Sequence, residues 1–166
     1  MLGLVGLGWG VRPAAAAQPL VQAYEVAASE LQVWWKERDL MVVTPGLDGL
    51  EARRPLADAA VHAAPAGFPG WTRLGAACAG PGGNRTTFPL AGKPAVAAAG
   101  GDKAVPVVTV HRDGVLVAQA PLGQPAEACA IHVGEADALP GVEIVVSWTL
   151  GSVQGVTVFR LPELAH

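Results

Sequence analysis

Few residues in this chain have catalytic chemistry to offer, and they are scattered. His111, Arg112 and Asp113 stand together. A kinase catalytic loop uses that triplet, but no glycine-rich phosphate loop, strand lysine or Asp-Phe-Gly accompanies it, and Gly114 makes the triplet a hairpin corner. Cys129 and His132 offer two metal ligands, with His111 as a third. On a strand, positions 129 and 132 point to opposite faces, which works against shared ligation. A cysteine nucleophile would need His62, His111 or His132 as its base, whereas cysteines of an exported chain are normally oxidised. Ser29, Ser147 and Ser152 lie outside any Gly-x-Ser-x-Gly elbow. Paired carboxylates for glycoside hydrolysis are defined by separation in space, which a sequence does not display. We expect no catalytic residue, no cofactor and no metal, and hence a protein that is not an enzyme. Small exported enzyme chemistry is the last of the alternatives.

What remains is architecture. Met1 to Val11 is almost wholly apolar, Arg12-Pro13 interrupts it, and Ala14-Ala15-Ala16-Ala17 follows. An apolar core followed by small residues is how an export signal ends, with a cut expected after Ala17, although no basic residue precedes the run. At about 1.5 Å of rise per residue the run is too short for a hydrocarbon core of about 30 Å. Residues 1–17 therefore read as a signal-like segment or an assembly arm, with membrane proximity arising only through them. Gly6-Leu7-Gly8-Trp9-Gly10 lacks the strand and spacing of a dinucleotide fingerprint and suits glycine-mediated packing on another helix.

The chain has 166 residues, of which 51% are hydrophobic and 15% charged, with a net charge of −3. That supports one domain and a real core. Charged residues fall below the usual share of about 25%, so part of the surface is expected to meet protein partners. Lysines and arginines form no stripe, which excludes a nucleic-acid footprint. Cys78 and Cys129 are the two cysteines. In an oxidising compartment they are expected to form a disulfide, contributing roughly 4 kcal/mol in the chain-entropy model. Asn84-Arg85-Thr86 is a glycosylation sequon, relevant only in a host that uses it. The five tryptophans are expected to fill the core, with an exposed aromatic platform as the alternative.

Leu20, Tyr24, Ala27, Leu31 and Trp34 are spaced 4, 3, 4, 3. That spacing predicts an amphipathic helix over 18–43, broadened by Trp35. This stripe, Leu20, Tyr24, Ala27, Leu31, Trp34 and Trp35, is the candidate interface. Pro55 to Ala64 reads as a second short helix. Residues 44–104 are loop-rich, and the part from Phe68 to Lys103 either hides short strands or covers the surface. From Val105 the period becomes two. Strands are expected at Val105–His111, Val115–Gln119, Ala126–Val133, Val142–Leu150 and Gly155–Arg160, with turns at Arg112-Asp113-Gly114 and Gly151-Ser152. The expected fold is α+β: a long N-terminal helix packed on a C-terminal antiparallel meander of four to five strands over 105–161.

This order of parts resembles that of type IV pilins and pseudopilins. Those begin with a long unbroken apolar helix carrying an acidic residue near its start, whereas this chain has Val5 there and Arg12-Pro13 in the run, and no residue role is carried over. The resulting expectation is a non-enzymatic structural or binding component of a bacterial surface or secretion assembly, extracytoplasmic in the periplasm or at the cell surface, with protein subunits as partners in a homo- or hetero-oligomer. A virion component, such as a capsid decoration or tail protein, is the alternative.

Overall fold

The computed structural model describes residues 17–36, 39–47, 49–54, 59–61, 70–73, 84–100, 105–123, 125–134 and 141–162. Every regular element among them is a strand. The front sheet runs in the order β1 (Gln18–Pro19), β11 (Val115–Pro121), β10 (Val107–Arg112), β9 (Lys93–Gly100), β8 (Asn84–Leu90). The middle sheet is β12 (Glu127–Gly134), β13 (Val142–Leu150), β14 (Val153–Leu161), β2 (Val21–Ala28). The back sheet is β6 (Ala59–Val61), β5 (Gly49–Arg54), β4 (Asp39–Gly46), β3 (Gln32–Lys36), β7 (Thr72–Arg73). The back sheet is thus an insertion between β2 and β8, folded over the middle sheet. All pairings are antiparallel except that of β1 with β11.

The expected α+β fold is therefore corrected to all-β. Where a helix was read over 18–43, the chain makes β1, β2, β3 and the start of β4. The reason is visible in the packing. A helical stripe gathers Leu20, Tyr24, Ala27, Leu31 and Trp34 but scatters Val33, Leu40 and Val42. Period two collects Leu31, Val33 and Trp35 on β3 and its approach, and Leu40 and Val42 on β4, into one buried layer against Val145, Val156 and Val158. β-Branched and aromatic pairs fit a pleated surface covered on both sides, and Met41 and Val43 are buried on the opposite face. The pilin-like layout, which requires that helix, falls with it. Ala59–Val61, inside the expected second helix, is strand β6. The stretch expected to be loop-rich, 44–104, holds β5, β6, β7, β8 and β9.

The five C-terminal strands lie close to their expected positions but do not form one meander. β10 and β11 belong to the front sheet and β12, β13 and β14 to the middle one. Alternation along β13 explains the layering. Val142, Ile144, Val146 and Trp148 face the front core, while Val145 faces the back one. The front core sets small against large: Ala97, Ala99 and Ala118 oppose Ile144, Trp148, Phe159 and Leu161. Trp148 stands opposite Gly155 in the ladder, and a Cβ on Gly155 would overlap its indole.

The two-layer front of the molecule is shut at both edges. Leu20 links β1 to β2, buries its side chain in the front core and donates its N–H to the Gln119 carbonyl at 3.0 Å. At the other edge β8 and β9 run close to β12. Both features shield sheet edges that would otherwise invite pairing with other chains. The Asp113-Gly114 turn has φ of 52° and 80°, the mirror-image geometry expected for an Asp-Gly hairpin. Ala91-Gly92 adopts the same geometry without a residue suited to its first position.

Candidate functional site

The outer face of the front sheet carries a shallow concavity of about 460 Å³ lined by Arg85, Pro94, Val96, His111, Asp113 and Gly114. Strand register builds it. Thr87, Val96 and His111 form one row across β8, β9 and β10, and Arg85 stands in the next row beside Ala98 and Thr109. The β10–β11 turn closes one end, held by the Asp113 N–H donating to the Pro94 carbonyl at 2.9 Å. Lys93 Nζ lies 3.6 Å from Asp113 Oδ2 and balances its charge. Among the described residues, no hydrogen bond or ion pair engages the Arg85 guanidinium or the His111 imidazole. Two nitrogen donors therefore flank an apolar floor.

Inside the molecule, polar groups are handled differently on the two faces of the middle sheet. On the front face the Trp148 indole N–H donates to Thr157 Oγ1 at 2.9 Å, and the Thr157 hydroxyl donates to Glu25 Oε2 at 2.8 Å. This relay carries a buried donor out to an exposed carboxylate. On the back face Trp35 rests on His132, ring centroids 4.3 Å apart and tilted by 58°. A Cβ on Gly134 would overlap Trp35. His132 Nε2 is buried without a hydrogen-bond partner, and burial holds the imidazole pKa below its ordinary value. Glu143, 1% exposed, stands opposite Arg160 in the same face of the ladder. Burial raises the Tyr24 phenol, and nearby Arg53 partly offsets the rise. Within the back sheet, Arg54 of β5 and Asp39 of β4 form an ion pair.

Exposed aliphatic side chains mark two hairpin tips. Leu47 is fully exposed, and Leu50, Leu150 and Val153 are exposed as well. Leu47 and Leu50 flank the β4–β5 turn, and Leu150 and Val153 flank the β13–β14 turn. The Leu31 N–H donates to Gln154 Oε1 at 3.0 Å, while Trp35 at the other end of β3 reaches His132. That anchors β3 with its N-terminal end at the β13–β14 turn. Antiparallel β4 therefore runs back to that end, so both hairpins project from the same end of the molecule.

The candidate interface residues are not brought together. Leu20 is in the front core, Leu31 and Trp35 are in the back core, and Tyr24 is packed at its margin. Ala27 is exposed on β2, and Trp34 is on the far side of the back sheet beside Met41, its indole N–H donating to Gln32 Oε1 at 3.1 Å. Cys78 and residues 1–16 lie outside the described residues, as does the side chain of Cys129, whose backbone is in β12. His62 also lies outside them. Ser147 and Ser152 lie apart, within β13 and in the turn after it. Among the described residues no group of three or more His, Cys, Asp or Glu is placed to hold a metal ion, and no helix is long and apolar enough to cross a membrane. His111 and Asp113 stand out in the sequence, where Arg85 figures only as the middle of the Asn84-Arg85-Thr86 sequon; the three-strand register is what sets Arg85 beside them. No protein-family model matches the chain, and no curated protein and no solved structure matches it either.

Proposed function

We propose that this protein is a non-enzymatic structural or binding component of an extracytoplasmic assembly, at the surface or in the periplasm of a bacterium, that works through contact with other protein subunits. The observation that carries this reading is the exposure of Leu47, Leu50, Leu150 and Val153 at two hairpin tips. Large side chains left exposed on hairpin tips add nothing to the chain's own core and are available for contact with other chains. The low charged fraction of the sequence and its export-like N-terminal pattern support the same reading. The shut edges of the front layers direct association toward side-chain contact at the tips rather than strand addition there.

The test is sedimentation velocity of the full chain over a wide concentration range, together with its isolation from the native host. The expected result is concentration-dependent self-association or a stoichiometric subunit partner, weakened at least tenfold by the double substitution Leu47→Asp and Leu150→Asp. A monodisperse monomer at every concentration, with no stoichiometric partner in the host, overturns the proposal.

A further inference from the structure

We infer that the concavity on the outer face of the front sheet is a binding site for a compact hydroxylated organic acid, of the chemical class of an acidic sugar ring. It lies on the face of the front sheet turned away from the middle sheet, so it is a different surface from the aliphatic hairpin tips and does not depend on them.

Three features of the lining select this class. Arg85 presents a planar fork that matches a carboxylate with two parallel hydrogen bonds, and no described residue occupies that fork. His111, one strand beyond Val96, adds a ring nitrogen on the other flank. Asp113 also lines the cavity. Its carboxylate, balanced by Lys93 at 3.6 Å, disfavours a dianion or polyanion but accepts hydrogen bonds from hydroxyl groups. A plain inorganic anion would leave that acceptor unused. Between the polar groups, Val96 and Pro94 offer an apolar floor for the C–H face of a ring. A volume of about 460 Å³ lies within the range of small-molecule sites, about 300–1,000 Å³.

The lining is built to persist without ligand. Val96 is clamped between β8 and β10 in continuous register, and the turn bearing Asp113 is fixed by its N–H bond to Pro94. The polar groups thus sit on a sheet rather than on a free loop, which limits the ordering cost of binding. The openness of the site and the absence of Phe, Tyr and Trp among its described lining residues set the expected affinity in the weak range, a dissociation constant on the order of 0.1–1 mM.

The test is NMR titration of the full-length protein with glucuronate, glucose and sulfate separately. Glucuronate is expected to shift the amide signals of residues 85, 96, 111 and 113 in a saturable way, with neither glucose nor sulfate reproducing the effect. Arg85→Gln, an exposed substitution, is expected to weaken glucuronate binding at least tenfold while leaving signals of the middle sheet in place. Asp113→Asn is expected to weaken it by less. Shifts of equal size and affinity from sulfate would reduce the site to a plain anion site and overturn the proposal. So would saturable shifts from glucose, or the absence of shifts at these residues up to about 50 mM glucuronate, well above the dissociation constant expected here.

Discussion

The two faces of the middle sheet solve the same packing problem with different materials. Each receives a tryptophan laid over a glycine: Trp148 over Gly155 on the front, Trp35 over Gly134 on the back. On the front, the indole N–H is satisfied by Thr157 and the surrounding layer is alanine and aliphatic. On the back, the tryptophan lies on a histidine whose Nε2 has no partner, on a face that also holds Glu143, Arg160 and Tyr24. The front face is thus an apolar contact with the donors of Trp148 and Thr157 both accounted for. The back face is an insertion docked on titratable groups. A polar group buried without a partner costs about 1–3 kcal/mol, so the front contact should dominate stability and the back contact should respond to conditions.

The largest test of that contrast is truncation of the two tryptophans. Trp148→Ala is expected to destabilise by about 3–5 kcal/mol, the usual cost of removing a buried aromatic. Trp35→Ala, on β3 and packed against the edge strand β12, is expected to cost clearly less. Urea denaturation of both variants measures the difference, and equal losses would erase the distinction between the faces. Next come the glycines. Gly155→Ala places a methyl group within the Trp148 ring, and overpacking of this kind costs about 1–3 kcal/mol. Combining it with Trp148→Leu should recover part of the loss, because contacting residues are not additive. Gly134→Ala is expected to act more mildly and to be relieved by Trp35→Leu.

These contacts also mark where the sequence is legible and where it is not. Val142–Leu150 can be read directly, because alternation of large apolar residues has a period that only a strand satisfies. The Asp113-Gly114 and Gly151-Ser152 turns can be read for the same local reason, since they demand positive φ and the glycines supply it. The β2–β4 region misleads because β2 is an edge strand with alternating exposure and a helix-forming composition of Gln, Ala and Glu. Its Tyr24 and Ala27 fall by coincidence on a helical stripe with Leu20 and Leu31. The contacts that decide the matter, Leu31 with Gln154 and Trp35 with His132, join residues about a hundred positions apart. No local window contains them. The same distance conceals the division of the C-terminal strands between two sheets, and the register that places Arg85 near His111.

Thr157 offers a smaller test, confined to the front face. Thr157→Val keeps the shape of the side chain but removes the acceptor for the Trp148 N–H and the donor to Glu25. A buried donor left unpaired costs about 1–3 kcal/mol, so the variant should lose stability within that range and its Trp148 indole proton should exchange faster with solvent. No change in either would mean that the relay is an accessory to the apolar contact.

The smallest expected effect is a slope with pH, and it belongs to the back face. Burial depresses the His132 pKa below its ordinary value of 6.5, so the unfolded chain takes up this proton before the folded one does. Above pH 6.5 the imidazole is neutral in both states and contributes no pH dependence. As pH falls below 6.5 the unfolded state binds more protons, and stability declines until the folded-state pKa is passed. Glu143 and Arg160 stand opposite one another on that face, and Tyr24, its phenol raised by burial, stays protonated throughout this range. His132 is expected to contribute a slope between pH 5 and 7, the window of an imidazole. His132→Leu replaces an unsatisfied polar ring with an apolar side chain, a change that is near neutral at pH 7.5 when no partner is left behind. Denaturation midpoints of the two proteins should converge above pH 7 and separate below 6.5, with the variant the more stable at pH 5. If the wild-type slope survives in His132→Leu, the acid response lies elsewhere, and the back face is no more sensitive to protons than the front.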